Sequence, residues 1–271
     1  NPAGKDPGGI NTWTGRGSLE YVGSSVTVLL SADVVRLRNG MGAQFVSTAS
    51  KAALLNPTAI AALPAGEDFW HHYYNYEGFQ RQDSSSYTGR VEWDLGAAQL
   101  TSISAYRKMH FTRSQDHDGS MANAWGVDHE ERDKTFTQEL RLAGDSDWLN
   151  WMIGGFYYHN DADRRDQIHL GPDFAVPALA AFPADVKHQM TTSSYAAFGQ
   201  LTFKLGDQFS LIAGARYTHD TKTSPQDGEP LGPPARFVVD IQRTWDSFDP
   251  AVTLQFKPSE HVMAYASYRQ G

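Results

Sequence analysis

Cysteine is absent from the 271 residues, so the chain has neither a disulfide framework nor a thiolate metal site. Long apolar runs are missing as well. The most extended, Ser25 to Val35 and Trp148 to Tyr158, are roughly half of the ~20 residues a membrane-spanning helix needs, and polar or glycine positions interrupt both. Transmembrane helices are thereby excluded, whereas a barrel that crosses with strands is not. Positive charge is in deficit: Lys+Arg 23 against Asp+Glu 31 gives a net −8. A surface that tracks nucleic-acid phosphates needs clustered cations, so no nucleic-acid partner is expected. No Gly-x-Ser-x-Gly elbow, His-Glu-x-x-His pair or phosphate loop occurs. No initiator Met or signal-type segment opens the chain at Asn1, and Gly271 follows Tyr268-Arg269-Gln270 within what reads as a strand. The expectation is a fragment of a longer protein.

What is abundant points to strands. Aromatics make up 12% of the chain, and Gly numbers 24; with Thr and Val these suit a pleated, half-buried surface. Period-2 alternation is clear at Tyr195, Ala197, Gly199, Leu201 and Phe203, opposite Ser194, Ala196, Phe198, Gln200, Thr202 and Lys204. It recurs from Ser247 to Phe256 and from Tyr87 to Leu95. Extended over the chain, the pattern predicts ten strands, near 12 to 20, 25 to 35, 84 to 95, 98 to 111, 132 to 143, 148 to 161, 190 to 205, 208 to 221, 243 to 257 and 261 to 270.

The predicted connections alternate strictly in length. Five are tight: Tyr21 to Ser24, Gly96 and Ala97, Gly144 to Asp147, Gly206 and Asp207, and Pro258 to Glu260. All but the first are rich in turn formers. Four are long, about 36 to 83, 112 to 131, 162 to 189 and 222 to 242. An up-and-down meander with short turns at one end and long loops at the other is the pattern of outer-membrane barrels, and strands of roughly ten residues match the span. In lipid every backbone N–H and C=O needs a partner within the protein, so strands cross only as a closed sheet. Ten strands either close alone or form part of a larger barrel. Trp148, Trp151, Tyr157 and Tyr158 lie toward the ends of one strand, and Tyr195, Phe203, Phe209 and Tyr217 do so on a neighbouring hairpin, as interfacial girdles require. The alternative is core aromatics in a soluble β-protein, such as a carbohydrate-binding sandwich, which accounts for neither the strand length nor the one-sided loops. A mean hydropathy of −0.48 is compatible with the barrel, because such a wall is apolar on one face only.

Four segments add a resemblance. Thr135 to Gly144 (TFTQELRLAG), Trp151 to Tyr158 (WMIGGFYY), Tyr195 to Lys222 (YAAFGQLTFKLGDQFSLIAGARYTHDTK) and Phe248 to Gly271 (FDPAVTLQFKPSEHVMAYASYRQG) resemble the barrel of TonB-dependent outer-membrane receptors. The last two carry most of it. The resemblance implies an all-β, antiparallel up-and-down transmembrane barrel, present in part: about ten strands of a barrel of roughly 22. It treats residues 1–271 as one partial barrel domain, with the plug domain, its TonB-contacting box and the signal peptide absent, and without the terminal aromatic of a complete barrel. It further implies a Gram-negative outer-membrane location, no enzyme activity and no cofactor. The expected role belongs to the intact parent: uptake of a scarce solute such as a ferric siderophore, cobalamin or a glycan with TonB-supplied energy. The partners would be the TonB complex, reached through the missing plug, outer-membrane lipid and the ligand. A passive porin or a rim-located protease is the alternative.

Candidate chemistry lies in the long connections. Loop 112 to 131 holds Asp116-His117-Asp118, Trp125 and Asp128-His129-Glu130-Glu131, donors suited to a cation but at a spacing that matches no metal motif. The plainer reading is a solvated, mobile loop. A rim protease would draw its water-activating groups from Asp116, His117, Asp128 and His129. Trp70, His71 and His72 beside Tyr73, Tyr74 and Tyr76 form an aromatic cluster able to stack on a sugar or an aromatic chelate, or to pack a loop on the rim. The candidate ligand contacts are therefore Trp70, His71, His72, His117, Trp125 and His129, with no catalytic or metal-binding set. Ala-rich Ser50 to Leu63 and the segment Phe174 to Phe182 are each expected to form a short helix in an external loop, limited by Pro57 and Pro177. Arg90, Glu92, Glu139, Arg141, Lys204 and Arg216 are expected to face a wet lumen, since lipid would penalise them.

Overall fold

A computed structural model describes residues 9–41, 51, 53–63, 74–181, 184–229 and 236–271. Ten strands follow one another: β1 (Thr12–Val22), β2 (Val26–Met41), β3 (Gly78–Asp94), β4 (Gln99–Asp116), β5 (Trp125–Asp145), β6 (Leu149–Leu170), β7 (Ala184–Leu205), β8 (Phe209–Glu229), β9 (Phe237–Ser259) and β10 (Val262–Arg269). Helix α1 (Pro57–Ala62) and a 3-10 turn at Pro177–Ala181 sit in the long connections. The strands form one antiparallel sheet in sequential order from β1 to β10. Among the described residues β1 and β10 do not pair with each other, so the sheet is an open length of wall. No described helix is long and apolar enough to cross a membrane.

The register assigns every side chain to one of two faces. Residues paired directly across strands share a face, so Leu29, Arg90, Ile103, Glu139, Phe156, Ala196 and Thr218 lie in one row. The neighbouring row, Val28, Val91, Ser102, Leu140, Gly155, Ala197, Tyr217 and Phe248, lies on the other face. All six charges expected in the lumen, Arg90, Glu92, Glu139, Arg141, Lys204 and Arg216, fall on the first face. The second face carries the exposed apolar side chains Leu30, Tyr87, Val91, Leu140, Ile153, Tyr195, Leu201, Leu205, Tyr217, Phe248 and Leu254. An apolar surface of this extent needs lipid against it.

Aromatic residues bound that face at two levels. Near the short turns are Trp151, Phe203, Phe209 and Phe256, the last two rings stacked at 4.6 Å. At the upper level Tyr87, Tyr106 and Phe136 share one row. The belt then steps down in register through Tyr157 and Tyr195, whose rings lie 4.9 Å apart, to Tyr217 and Phe248. This descent is what strands tilted across a membrane require. Tyr195 and Phe203 on β7 are about 27 Å apart along the strand at ~3.4 Å per residue, and roughly 20 Å along the barrel axis once tilted. Tyr158 departs from the girdle expectation: it pairs with Thr137 and Ser194 on the lumen face, because its odd-even position is opposite to that of Tyr157.

The short connections form where expected. Gly96 (φ +83°) and Gly206 (φ +73°) adopt left-handed backbone that L side chains avoid, and the Asp94 carboxylate accepts the Gly96 N–H at 2.8 Å. The long end differs from the expectation. β4 and β5 continue to Asp116 and from Trp125, so most of the predicted loop 112 to 131 is paired strand and only 117–124 connects them. β6, β7, β8 and β9 also run several residues further. Above the upper belt both faces meet water, so the residues there lose their apolar-polar alternation while the backbone ladder continues. Pro57 and Pro177 limit their helices as expected, each standing at the first residue and so fixing where its helix starts; a missing N–H costs nothing at the first helical position.

Candidate functional site

The β4-β5 tip is a buried, tightly bonded cap, not the solvated loop its composition implies. Asp118 is 1% exposed and Ser120 fully buried. One Asp118 oxygen accepts Ser120 Oγ at 2.6 Å and Ser120 N at 3.1 Å; the other accepts Ala124 N at 3.1 Å and Trp125 N at 2.9 Å. Asp116 Oδ1 accepts the N–H groups of Asp118 and Gly119 at 3.0 and 3.1 Å, and Gly119 (φ +57°) supplies the reversal. Asp116 Oδ2 is buried with no hydrogen-bond partner among the described residues. Burial and the neighbouring Asp118 charge raise the Asp116 carboxyl to about 7.

Three connections meet at this cap. Leu55, Ala59, Ala122 and Ala124 form a small apolar core with Leu63 and Phe174 packed against it. Asn56 caps α1 through Ala59 N at 2.9 Å and donates to Pro172 O at 3.0 Å. Asn75 Nδ2 donates to Ala122 O at 2.7 Å, and Asn123 N donates to an Asp173 carboxylate oxygen at 2.8 Å. Gly171 donates to Ala124 O at 2.8 Å; a side chain there would overlap the Asn123 carbonyl. Beside the cap lies a cavity of about 390 Å³ lined by Asn75, Tyr76, Asp116, Trp125, Asp128 and His169. Tyr76 and Asp128 both bond to Ser114 Oγ, and His169 Nε2 meets Asp128 at 2.8 Å.

The structure separates the expected contact residues. His117 packs against Trp125 with ring centroids 5.2 Å apart and planes tilted by 32°, and burial together with Arg113 lowers its pKa. His117 Nε2 and Trp125 Nε1 are buried without partners among the described residues. His129 is not in a loop but on β5, 7% exposed and turned to the lumen face. It bonds Asp166 at 2.7 Å and Glu131 at 3.4 Å, and Phe111 packs edge-on at 5.6 Å. Arg164 joins through Asp166 at 2.8 Å, and His188 approaches the same carboxylate at 3.8 Å. Trp70, His71 and His72, with Tyr73, lie outside the described residues. Tyr74 is buried and Tyr76 reaches the cavity. Phe111, Arg164, Asp166 and His188 were not singled out by sequence, because they come together only through cross-strand pairing; the charged run from Asp163 to Asp166 was the available signal.

Lower on the lumen face one row contains Arg16, Asp33, Arg107, Thr135, Asn160, Thr192, Lys222 and Arg243. Arg16 pairs with Asp33 at 3.3 Å, while Arg107, Lys222 and Arg243 have no ion pair among the described residues. Among the described residues no group of three His, Asp or Glu converges to hold a metal. Of the four groups considered for a rim protease, Asp116 and Asp128 line one cavity, Asp128 engaging His169 and Asp116 holding the tip backbone, whereas His117 lies against Trp125 and His129 belongs to a separate cluster on the lumen face.

Comparison with known proteins agrees with this geometry. The family model described as "TonB dependent receptor-like, beta-barrel" matches residues 12–271. The pesticin receptor of Yersinia enterocolitica is 29% identical over 157 residues, 56% of this chain and 21% of that protein. The solved ferric yersiniabactin uptake receptor FyuA from Yersinia pestis superposes with a TM-score of 0.73 at 17% identity, covering 98% of this chain and 38% of its own. The siderophore receptor PiuA from Acinetobacter baumannii gives 0.61 at 15% identity, covering 98% and 43%. At these identities the structural likeness concerns the fold. The chain spans about a fifth of the length of the curated receptors it matches.

Proposed function

The chain belongs to the TonB-dependent receptor β-barrel family of the Gram-negative outer membrane, a family of transport receptors and not of enzymes, and from that premise we propose that it is a section of barrel wall through which a receptor imports an anionic ferric chelate. The observation that carries the chelate's sign is the lumen row of Arg107, Lys222 and Arg243, which lack carboxylate partners among the described residues. The solute class follows relatives whose names specify ferric yersiniabactin, siderophore and ferric citrate uptake. In this reading the external cap, with Tyr76, His117 and Trp125, meets the chelate first, and the His129, Phe111 and Arg164 cluster lines the path below it. A plug elsewhere in the receptor closes the lumen until TonB supplies energy. A ligand that neutralises unpaired cations gains Coulomb energy that an uncharged one does not.

The test uses the intact receptor in cells starved of iron. Uptake of radiolabelled iron with anionic siderophores should saturate and stop when the proton gradient is dissipated. Replacing Arg107, Lys222 and Arg243 together by Gln should weaken it about tenfold. Uptake that persists without the gradient would instead favour a passive pore. Unchanged uptake in the triple variant would remove the assignment of an anionic cargo.

A further inference from the structure

One row of the lumen face places two aromatic rings beside the unpaired cations. Ala105, Thr137, Tyr158, Ser194, Asp220 and Trp245 are paired in succession from β4 to β9. The next row toward the long connections is the one that holds Arg107, Lys222 and Arg243. Tyr158 and Trp245 stand three strands apart, about 14 Å at roughly 4.8 Å per strand, and only Ser194 and Asp220 lie between them. Trp245 is 49% exposed, and its ring has neither an aromatic nor a cationic partner among the described residues. Along β9 the same face continues outward through Arg243 to Ile241, another exposed apolar side chain.

Membrane spanning does not call for rings on this side. Interfacial aromatics belong on the lipid face, whereas a barrel interior is polar, and a large ring left in water forgoes the burial that makes it stabilising. A further strand pairing with β9 in the intact receptor closes its backbone edge and leaves its lumen face as it is. The charges beside the rings decide which solute can cover them. Lys222 and Arg243 are direct cross-strand partners, an arrangement that destabilises a sheet unless something neutralises it. Asp220 is the one carboxylate among their direct and diagonal neighbours in the described ladder, so the three groups together keep one positive charge. An aliphatic anion satisfies the cations and leaves the rings in water; an uncharged aromatic does the reverse.

We infer that the chelate holds its iron through aromatic oxygen donors, catecholate or phenolate rings, with one ring against Trp245, a second toward Tyr158, and its negative charge at Lys222 and Arg243. Such donors carry the charge on oxygen atoms attached to the ring itself, so one group meets both demands of the wall. Ring pairs in offset or edge-on contact gain beyond the area they bury, which an aliphatic carboxylate chelate cannot reproduce. This donor assignment rests on the anionic cargo proposed above, and the test separates the two.

The intact receptor in detergent is equilibrated by dialysis with radioiron bound to 2,3-dihydroxybenzoate, to salicylate or to citrate, and each variant is first checked for the heat-resistant gel mobility of a folded barrel. The better bound of the two aromatic chelates should bind at least about tenfold more tightly than ferric dicitrate. Trp245→Leu should weaken that aromatic chelate about tenfold and ferric dicitrate less than about twofold, and Trp245→Phe should retain the preference. Lys222→Gln with Arg243→Gln should weaken aromatic chelate and ferric dicitrate alike. Ferric dicitrate bound as tightly as both aromatic chelates would overturn the donor assignment and leave the anionic cargo standing. So would a Trp245→Leu effect equal on every chelate, as packing of the ring against the plug would produce. Binding of all chelates unchanged by the Lys222→Gln and Arg243→Gln pair would remove the anionic cargo and the donor assignment with it.

Discussion

Asp116 and Asp118 stand two positions apart and meet different environments. The Asp118 carboxylate accepts four hydrogen bonds, three of them from backbone N–H groups of its own tip. Replacing it by alanine strands those donors in a buried turn, and Asp118→Ala should cost roughly 3 kcal/mol of local stability. Hydrogen exchange of residues 118–125 reports this as loss of protection at the tip with the membrane strands unaffected. Asp116 has one oxygen bonded and one buried without a partner, and its pKa is raised to about 7. An unfolded Asp titrates near 4. The folded cap therefore holds the extra proton, so its stability is greatest below about pH 4, declines as the pH rises to about 7 and is level above that. Protection of the tip, corrected for intrinsic exchange, should be higher at pH 5 than at pH 8. Asp116→Asn, which keeps an acceptor oxygen without the charge, should remove most of that difference and protect the tip at pH 8.

Each strand serves two solvents, and its residues can be exchanged only within one of them. Leu140 on β5 faces lipid, whereas Ile103 on β4 faces the lumen beside Arg90 and Glu139. Leu140→Arg should destabilise the receptor in vesicles by about 2–4 kcal/mol, and Ile103→Arg by less than about 1 kcal/mol, as measured by urea unfolding. The turn-side halves of the strands were legible in the sequence because lipid enforces alternation there, as from Tyr195 to Phe203. The outer halves were not. From Asp128 to Arg132 and from Asp161 to Gln167 every residue but one is polar, since water lies on both faces, and a two-residue period leaves no trace. Composition thus suggested loops where the ladder continues. The cap was misread for a related reason: Asp and Ser normally mark solvated turns, and the sequence does not reveal that three connections close over them. His129 was legible as chemistry, but its partners Asp166 and Phe111 are supplied by neighbouring strands.

At the scale of the molecule, an open sheet of ten strands with short turns at one end and a packed cap at the other divides charge by side. Among the described residues, Arg107, Lys222 and Arg243 face the lumen without an ion-pair partner. Nearer the short turns the lumen face also carries cations, of which Arg90 and Arg141 pair with Glu92 and Glu139. The account rests on the two faces being lipid and lumen in the phase that the register assigns. The absence of cysteine makes that directly measurable: in the intact receptor, cleared of any other cysteine, single cysteines from Thr135 to Gly144 on β5 are spin-labelled in vesicles. Accessibility to oxygen and to a water-soluble nickel chelate is then compared position by position. The account predicts a two-residue period with oxygen favoured at Phe136, Gln138, Leu140 and Leu142 and the nickel chelate at Thr135, Thr137, Glu139 and Arg141. A flat profile, or the same period in the opposite phase, would contradict it.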